Sequence, residues 1–306
     1  MKKLQSVETV QSWLDDHNYI ADRGLATTIF LMLKMEKPLF LEGEAGVGKT
    51  ELGKVLAEML STKLIRLQCY EGLDVHNAVY EWNYSRQIIQ IRLLEASGSK
   101  DRKEMTREIF GSDFLIRRPL LQAVDNHLSK PPVLLIDELD RADEEFEAFL
   151  LEILSDFQVT IPEIGTIKAN KKPVVVITSN RTREIHDALK RRCLYHWIDY
   201  PSPEKEFEIV IRKTPGITES LGKQVVTFVQ AMRSIDLYKL PGVAETLDWT
   251  MALMALENPE LTVQTVEDTL GALLKYQDDV AKAKGEVVES LIQRAIAEAE
   301  LISSGS

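Results

Sequence analysis

GEAGVGKT, residues 43–50, is the stretch that decides the fold. The apolar run Pro38-Leu39-Phe40-Leu41 leads into it, and ELGKVLAEML, with helical periodicity, follows it. A strand entering a glycine-rich loop and a helix leaving it bring backbone N–H groups and a helix N-terminus onto one point, the geometry that binds a phosphate. The spacing satisfies G-x-x-x-x-G-K-[ST] at Gly43, Gly48, Lys49 and Thr50. It assigns the Lys49 ammonium to the β- and γ-phosphates of a nucleoside triphosphate and the Thr50 hydroxyl to Mg²⁺. The candidate phosphate-binding set is Gly43, Glu44, Ala45, Gly46, Val47, Gly48, Lys49, Thr50 and Glu51. GITESLGKQ at 216–224 looks similar but has the wrong spacing and carries Gln224 where Ser or Thr is needed.

Outward from this loop, short apolar runs recur at KLIRLQC (63–69), PVLLIDE (132–138), PVVVITSN (173–180) and LYHWIDY (194–200). Strands apolar throughout are buried on both faces, and helical patterns between them imply a parallel, doubly wound α/β sheet. In VLLIDELD (133–140), Asp137 emerges at the carboxyl end of a strand, where open α/β sheets bind ligands, and is the second candidate metal residue beside Thr50. Glu138 is placed to orient and deprotonate a water, which points to ATP hydrolysis rather than transfer to a substrate hydroxyl. Asn180 ends the next apolar strand, a position from which a neutral amide reaches the attacking water or the γ-phosphate. ALKRRC (188–193) sets Arg191 and Arg192 before the last strand, either of them suited to reach a neighbouring subunit's γ-phosphate.

After Tyr200-Pro201-Ser202-Pro203 the strand signal stops. Helical spacing of Leu221, Val225, Phe228, Val229 and Met232, of Leu247, Met251 and Met254, of Val263, Val266, Leu270 and Leu273, and of Val288, Leu291 and Ile292 predicts a small bundle. The expected domains are therefore 1–200, an α/β nucleotide-binding core, and 201–306, an all-helical lid, with the terminal SSGS a disordered end. The 306 residues carry a net charge of −11, a poor match to nucleic acid or anionic membranes. Cys69 and Cys193 alone give no disulfide framework or zinc site, and no run is long enough to span a membrane, so a cytoplasmic location is expected.

GEAGVGKT, VLLIDELDRAD, VVVITSN and ALKRRC, in this order and followed by helices, resemble an AAA+ P-loop ATPase. DELDRADEEFEAFLLEILSDFQVTIPEIGTIKA, with a helix and a hairpin before the Asn-bearing strand, resembles the MoxR group. QCYEGLDVHNAVYEWNY (68–84) and RRCLYHWIDYPSP (191–203) look closest to its branch associated with carbon-monoxide dehydrogenase maturation. The resemblance implies an ATP- and Mg²⁺-dependent homo-oligomer, usually a hexameric ring, that remodels client proteins and often pairs with a von Willebrand factor A domain protein. It maps Gly43 to Thr50 onto the phosphate loop, Asp137 and Glu138 onto the Walker B pair, Asn180 onto sensor 1, and Arg191, with Arg192 beside it, onto the arginine finger. Arg141 takes the family's DE-x-x-R position, expected to face a neighbouring subunit or the substrate.

Two departures stand out. GVAETL (242–247) places Thr246 where the group carries a lid arginine, so lid closure is expected to sense nucleotide weakly. The long gap between Lys49 and Asp137 leaves room for an insertion around 70–118. It contains Tyr70, Tyr80, Trp82 and Tyr84, read chiefly as the packed core of a hairpin and alternatively as a client grip, and the charged SGSKDRKEMTRE (97–108), read as a mobile surface loop. Two rival functions remain open from sequence: a nucleotide-gated scaffold with little turnover, and a nucleic-acid-directed motor.

Overall fold

The computed structural model describes residues 5–96, 102–257 and 260–304. They form two compact units. Of these, 5–13, 23–42, 50–96 and 102–197 make the first and 14–22, 43–49, 198–257 and 260–304 the second.

All five apolar runs become strands of one sheet: β1 (Leu39–Gly43), β2 (Leu64–Gln68), β5 (Val133–Asp137), β8 (Val174–Ser179) and β9 (Leu194–Ile198), in the order β2-β5-β8-β1-β9. The pairs β1/β8, β2/β5 and β5/β8 are parallel. The register sets Gln68 opposite Asp137 and Glu42 opposite Ser179, so the ends of neighbouring strands finish side by side. Every residue of β5 is buried, as a strand covered on both faces requires, whereas the edge strand β2 alternates, burying Ile65 and Leu67 and turning Arg66 and Gln68 to the other face. The helix Glu144–Asp156 opens on Asp143, whose carboxylate accepts the Phe146 N–H at 3.2 Å, and ends in the antiparallel hairpin of β6 (Gln158–Ile161) and β7 (Gly165–Lys168).

The 70–118 segment departs in part from expectation. β3 (Tyr80–Trp82) pairs antiparallel with β4 (Leu115–Arg117), and Trp82 is buried edge-on against Phe110 at 5.2 Å. Tyr80 packs on Trp82, but Tyr70 and Tyr84 are exposed, so the packed-hairpin reading holds for the middle two aromatics only. The charged stretch is not a loop throughout: Arg102–Ile109 is a helix, while 97–101 lie outside the described residues.

In the second unit the helices Pro203–Lys213, Glu219–Met232, Val243–Ala255, Val263–Leu273, Gln277–Ala283 and Glu286–Ser304 enclose a core of Leu221, Val225, Phe228, Trp249, Leu270 and Ile292. The expected face of Val243–Ala255 is out of phase. Met251 is exposed and Leu247 and Met254 only half-buried, while Thr246, Trp249, Thr250 and Leu253 are buried. The buried hydroxyls are satisfied locally, Thr250 donating to the Thr246 carbonyl at 2.7 Å, so polar residues occupy the inward face without an unpaired group. The last helix runs through Ser304, which corrects the expected disordered end at its first two serines; 305 and 306 lie outside the described residues. No helix among the described residues is long and apolar enough to cross a membrane.

Candidate nucleotide site

At the carboxyl end of β5 the side chain of Asp137 is 1 % exposed and fully engaged. Its Oδ1 accepts the hydroxyls of Thr50 at 2.8 Å and Thr178 at 2.6 Å, and its Oδ2 accepts Arg66 Nε at 3.0 Å and Nη2 at 2.5 Å. Thr178 also accepts the Glu138 N–H at 2.9 Å, so one hydroxyl tethers both acids to β8. Glu138 itself is left-handed, φ 54° and ψ 52°, a conformation a non-glycine residue adopts at a cost of about 1–2 kcal/mol, and it turns the carboxylate out of the strand line. Glu138 Oε1 accepts the Asn180 amide at 3.3 Å; Oε2 accepts the Gln68 amide at 3.0 Å and lies 3.1 Å from Arg141 Nε. Arg141 thus faces Glu138 of its own chain.

Asn180 is fixed from behind by Asp140, which is buried and takes the Asn180 N–H at 3.1 Å on Oδ1 and the Thr182 N–H at 2.9 Å and hydroxyl at 2.6 Å on Oδ2. Burial alone would raise the Asp140 pKa, but the Thr182 hydroxyl and the Thr182 and Asn180 amides outweigh it and hold the carboxyl below its ordinary value. It stays an anion and a rigid acceptor.

The phosphate-loop residues 43–49 belong to the second unit. Lys49 is buried, and its ammonium donates to the Gly43 and Glu44 carbonyls at 2.7 and 2.5 Å, so the cation is held against its own loop. Gly46 has φ 77°, and its carbonyl accepts the Ala244 N–H at 3.1 Å, docking the start of Val243–Ala255 on the loop. A Cβ at Gly43 would lie 2.1 Å from the Ile198 carbonyl oxygen, so strand and loop meet there only because that side chain is absent. Thr246 does not reach toward the loop. It is fully buried, donating to Glu206 Oε1 at 2.8 Å, and Glu206 is gripped by Arg233 through two bonds of 2.7 Å. The Arg233 guanidinium lies 4.7 Å over the Tyr200 ring; burial, followed by the Glu44 carboxylate, pushes the Tyr200 hydroxyl up to about 12.

Arg191 and Arg192 differ. Arg192 is tied to its own unit, donating to Ser155 Oγ and the Ala188 carbonyl, both at 2.9 Å. The Arg191 side chain is exposed and, among the described residues, makes no hydrogen bond or ion pair.

No cluster of three or more His, Cys, Asp or Glu among the described residues forms a protein cage for a metal. The Thr50 hydroxyl and Asp137 carboxylate, 2.8 Å apart, instead fit Mg²⁺, which takes one or two protein oxygens and draws the rest from phosphate and water. Arg66, Gln68, Thr178 and Asp140 were not singled out from sequence. The alternation of KLIRLQC puts Arg66 and Gln68 on one face of a strand, but that this face lies beside Asp137 comes only from the register with β5. A surface cavity lined by Lys54, Ala57, Glu58, Ser61, Lys63 and Lys130 among others contains none of these residues.

An uncharacterized protein of Staphylococcus haemolyticus (strain JCSC1435) is 22 % identical over 284 residues, covering 90 % of this chain and 95 % of that one. A single-substitution mutant of Thermotoga maritima RuvB superposes with a TM-score of 0.50 at 17 % identity, covering 87 % of this chain and 73 % of that chain, a likeness of fold alone. A structure described as a proposed ATPase of Cytophaga hutchinsonii ATCC 33406 gives a TM-score of 0.47 at 14 % identity, with 94 % of each chain covered. Residues 38–193 match the family model AAA domain (dynein-related subfamily), which spans the loop, the acidic pair, Asn180 and both arginines, and the chain therefore belongs to that family as a P-loop ATPase.

Proposed function

We propose that this chain is a MoxR-type remodeller that hydrolyses ATP with Mg²⁺ in a ring of identical subunits, a hexamer by resemblance, with residues 1–200 as core and 201–306 as lid. Its client is a protein, by resemblance a metalloenzyme of the carbon-monoxide dehydrogenase kind under maturation in the cytoplasm, with a von Willebrand factor A domain protein as partner. The observation that carries the hydrolytic reading is Glu138 held between Asn180 and Gln68 while Asp137 pairs with Thr50.

In this reading the loop amides and Lys49 bind the β- and γ-phosphates, Lys49 exchanging its carbonyl partners for phosphate oxygens. Thr50 and Asp137 would hold Mg²⁺, which would supply charge neutralisation on the transferring group. Glu138 accepts the proton of the attacking water, and Asn180 orients that water or the γ-phosphate. Arg191, the exposed cation, serves as the finger for the adjacent subunit. The test is the hydrolysis rate per subunit against protein concentration at saturating ATP and Mg²⁺. A rate that climbs with concentration supports a site completed between subunits; a flat rate from a monomer by sizing overturns the ring.

One observation favours a second reading, a nucleotide-gated scaffold. Thr246, at the position of the usual lid arginine, is locked to Glu206 and contributes no cation to a γ-phosphate. That reading expects ATP binding with no turnover at any concentration.

A further inference from the structure

Asp137, the carboxylate assigned above to Mg²⁺, already carries a cation. Arg66 sits on β2 opposite Leu135, one step before Gln68 on the same face of the strand, so its side chain reaches along β2 to the strand ends. There its Nε and Nη2 both donate to Asp137 Oδ2, at 3.0 and 2.5 Å, and Nη2 also reaches Gln68 Oε1 at 2.5 Å. The Gln68 amide in turn donates to Glu138 at 3.0 Å, so one guanidinium is connected to both acids of the site. The pair is asymmetric: the Asp137 side chain is 1 % exposed and that of Arg66 49 %. A carboxylate so buried needs a compensating charge, and arginine supplies one that cannot be lost by deprotonation. A half-exposed, long side chain can also leave, because its head has water to return to.

We propose that Arg66 is a resident counter-cation which Mg²⁺ must displace from Asp137, so that metal loading with the nucleotide is an exchange of one cation for another. Two cations cannot share that oxygen without repulsion, and the Oδ1 side is already taken by Thr50 and Thr178. Departure of Arg66 also releases Gln68 Oε1, so metal arrival is reported to the residue that holds Glu138. This inference rests on the ATP reading of the loop.

The experiment is a titration of the full chain with a fluorescent ATP analogue, mant-ATP, at free Mg²⁺ from EDTA levels to millimolar, for wild type, Arg66→Ala, Arg66→Gln and Arg66→Lys. With the competitor gone, Arg66→Ala and Arg66→Gln reach half-maximal binding at about two- to fivefold lower Mg²⁺, the order expected for one competing charge that solvent partly screens. Without metal the same variants bind the analogue more weakly than wild type, because Asp137 is then uncompensated beside the phosphates. Arg66→Lys, which keeps the charge and serves if the neutral variants do not fold, lies between. Midpoints equal to wild type overturn the exchange and leave the ATP reading standing, and so do variants that need more Mg²⁺, which would make Arg66 an organiser of the metal carboxylate. A wild-type chain that binds no mant-ATP at any Mg²⁺ overturns the phosphate-loop reading and the exchange with it.

Discussion

The Asn180 amide donates to Glu138 Oε1 at 3.3 Å while the opposite oxygen accepts from Gln68 at 3.0 Å, so the acid next to the buried Asp137 is held from two neighbouring strands. In the proposed mechanism the base must be aimed before it is useful, and the Asn180 and Gln68 amides aim Glu138 while Arg141 Nε lies 3.1 Å from the oxygen that Gln68 meets. Glu138→Gln keeps the size and shape and one of the two amide contacts, since its single carbonyl oxygen accepts and its NH₂ does not, and it removes the proton acceptor. Its turnover falls by about 10²–10⁴-fold while ATP is still retained, as read by steady-state hydrolysis beside equilibrium nucleotide binding. Asn180→Ala lowers kcat by about a hundredfold with KM little changed. Wild-type hydrolysis by Glu138→Gln would remove it as the base.

Arg191 and Arg192 are adjacent, yet only Arg192 is bound to its own unit, through Ser155 and Ala188. An arginine without a partner in its own chain reaches a neighbour's phosphate with no contact to give up, which makes Arg191 the proposed finger. Arg191→Ala is therefore expected to cut the assembled ATPase by at least about 10²-fold with nucleotide affinity kept, while Arg192→Ala chiefly loosens the helix Asp187–Lys190 and costs severalfold. Mixing Glu138→Gln with Arg191→Ala subunits tests the geometry: recovered hydrolysis in mixed rings requires that one subunit supply the base and another the arginine. Equal losses from the two arginine variants would contradict the assignment.

The sheet was legible because its strands are apolar on both faces, so LFLEG, VLLID and VVVITS announce themselves and carry Asp137, Glu138 and Asn180 to their ends. What escaped reading was polar and inward. Thr246 and Thr250 face the core of the second unit because their hydroxyls bond to Glu206 and to the preceding helical turn, and a pattern that counts only apolar residues assigns that face to solvent. Arg66 and Gln68 escaped for the converse reason: an edge strand tolerates polar side chains, so nothing in LIRLQ distinguishes a solvated arginine from one bound to Asp137. Spacing located Arg191 and Arg192 but could not separate them, since the contacts of Arg192 with Ser155 and Ala188 do so.

The Glu206, Arg233 and Thr246 cluster gives a stability prediction. Glu206 is fully buried, with Arg233, Gln230 and Thr246 all donating to its carboxylate. Removing one partner of a buried pair leaves an uncompensated charge, so Arg233→Ala is expected to destabilise by about 3–5 kcal/mol in urea unfolding. Thr246→Val, which loses one hydroxyl bond to that carboxylate, costs about 1–3 kcal/mol. Thr246→Arg, which tests the lid arginine of the proposed MoxR reading, places a second guanidinium beside Arg233 at a fully buried position. It is expected to destabilise as well, and an unchanged melting curve with tighter ATP binding would show that the lid can be rebuilt.

The two cysteines supply a pH prediction. Burial, and then the carboxylates of Asp137, Asp140 and Glu138, push the Cys69 thiol up to about 12; burial raises Cys193 to about 12 against the opposing Arg192 and Lys37 charges. The thiolate is the nucleophile, so at pH 8 the folded chain offers about one in 10⁴ of each thiol in reactive form. Iodoacetamide is expected to modify neither until the chain opens, with labelling following unfolding rather than the pH of the buffer. The linkage sign is fixed: the native thiols hold their protons more tightly than unfolded ones with a pKa near 9. Their contribution to stability is therefore complete below about pH 9 and is lost as pH rises toward about 12, where the unfolded state ionises first. Rapid stoichiometric labelling of Cys69 at pH 8 under native conditions would contradict its burial.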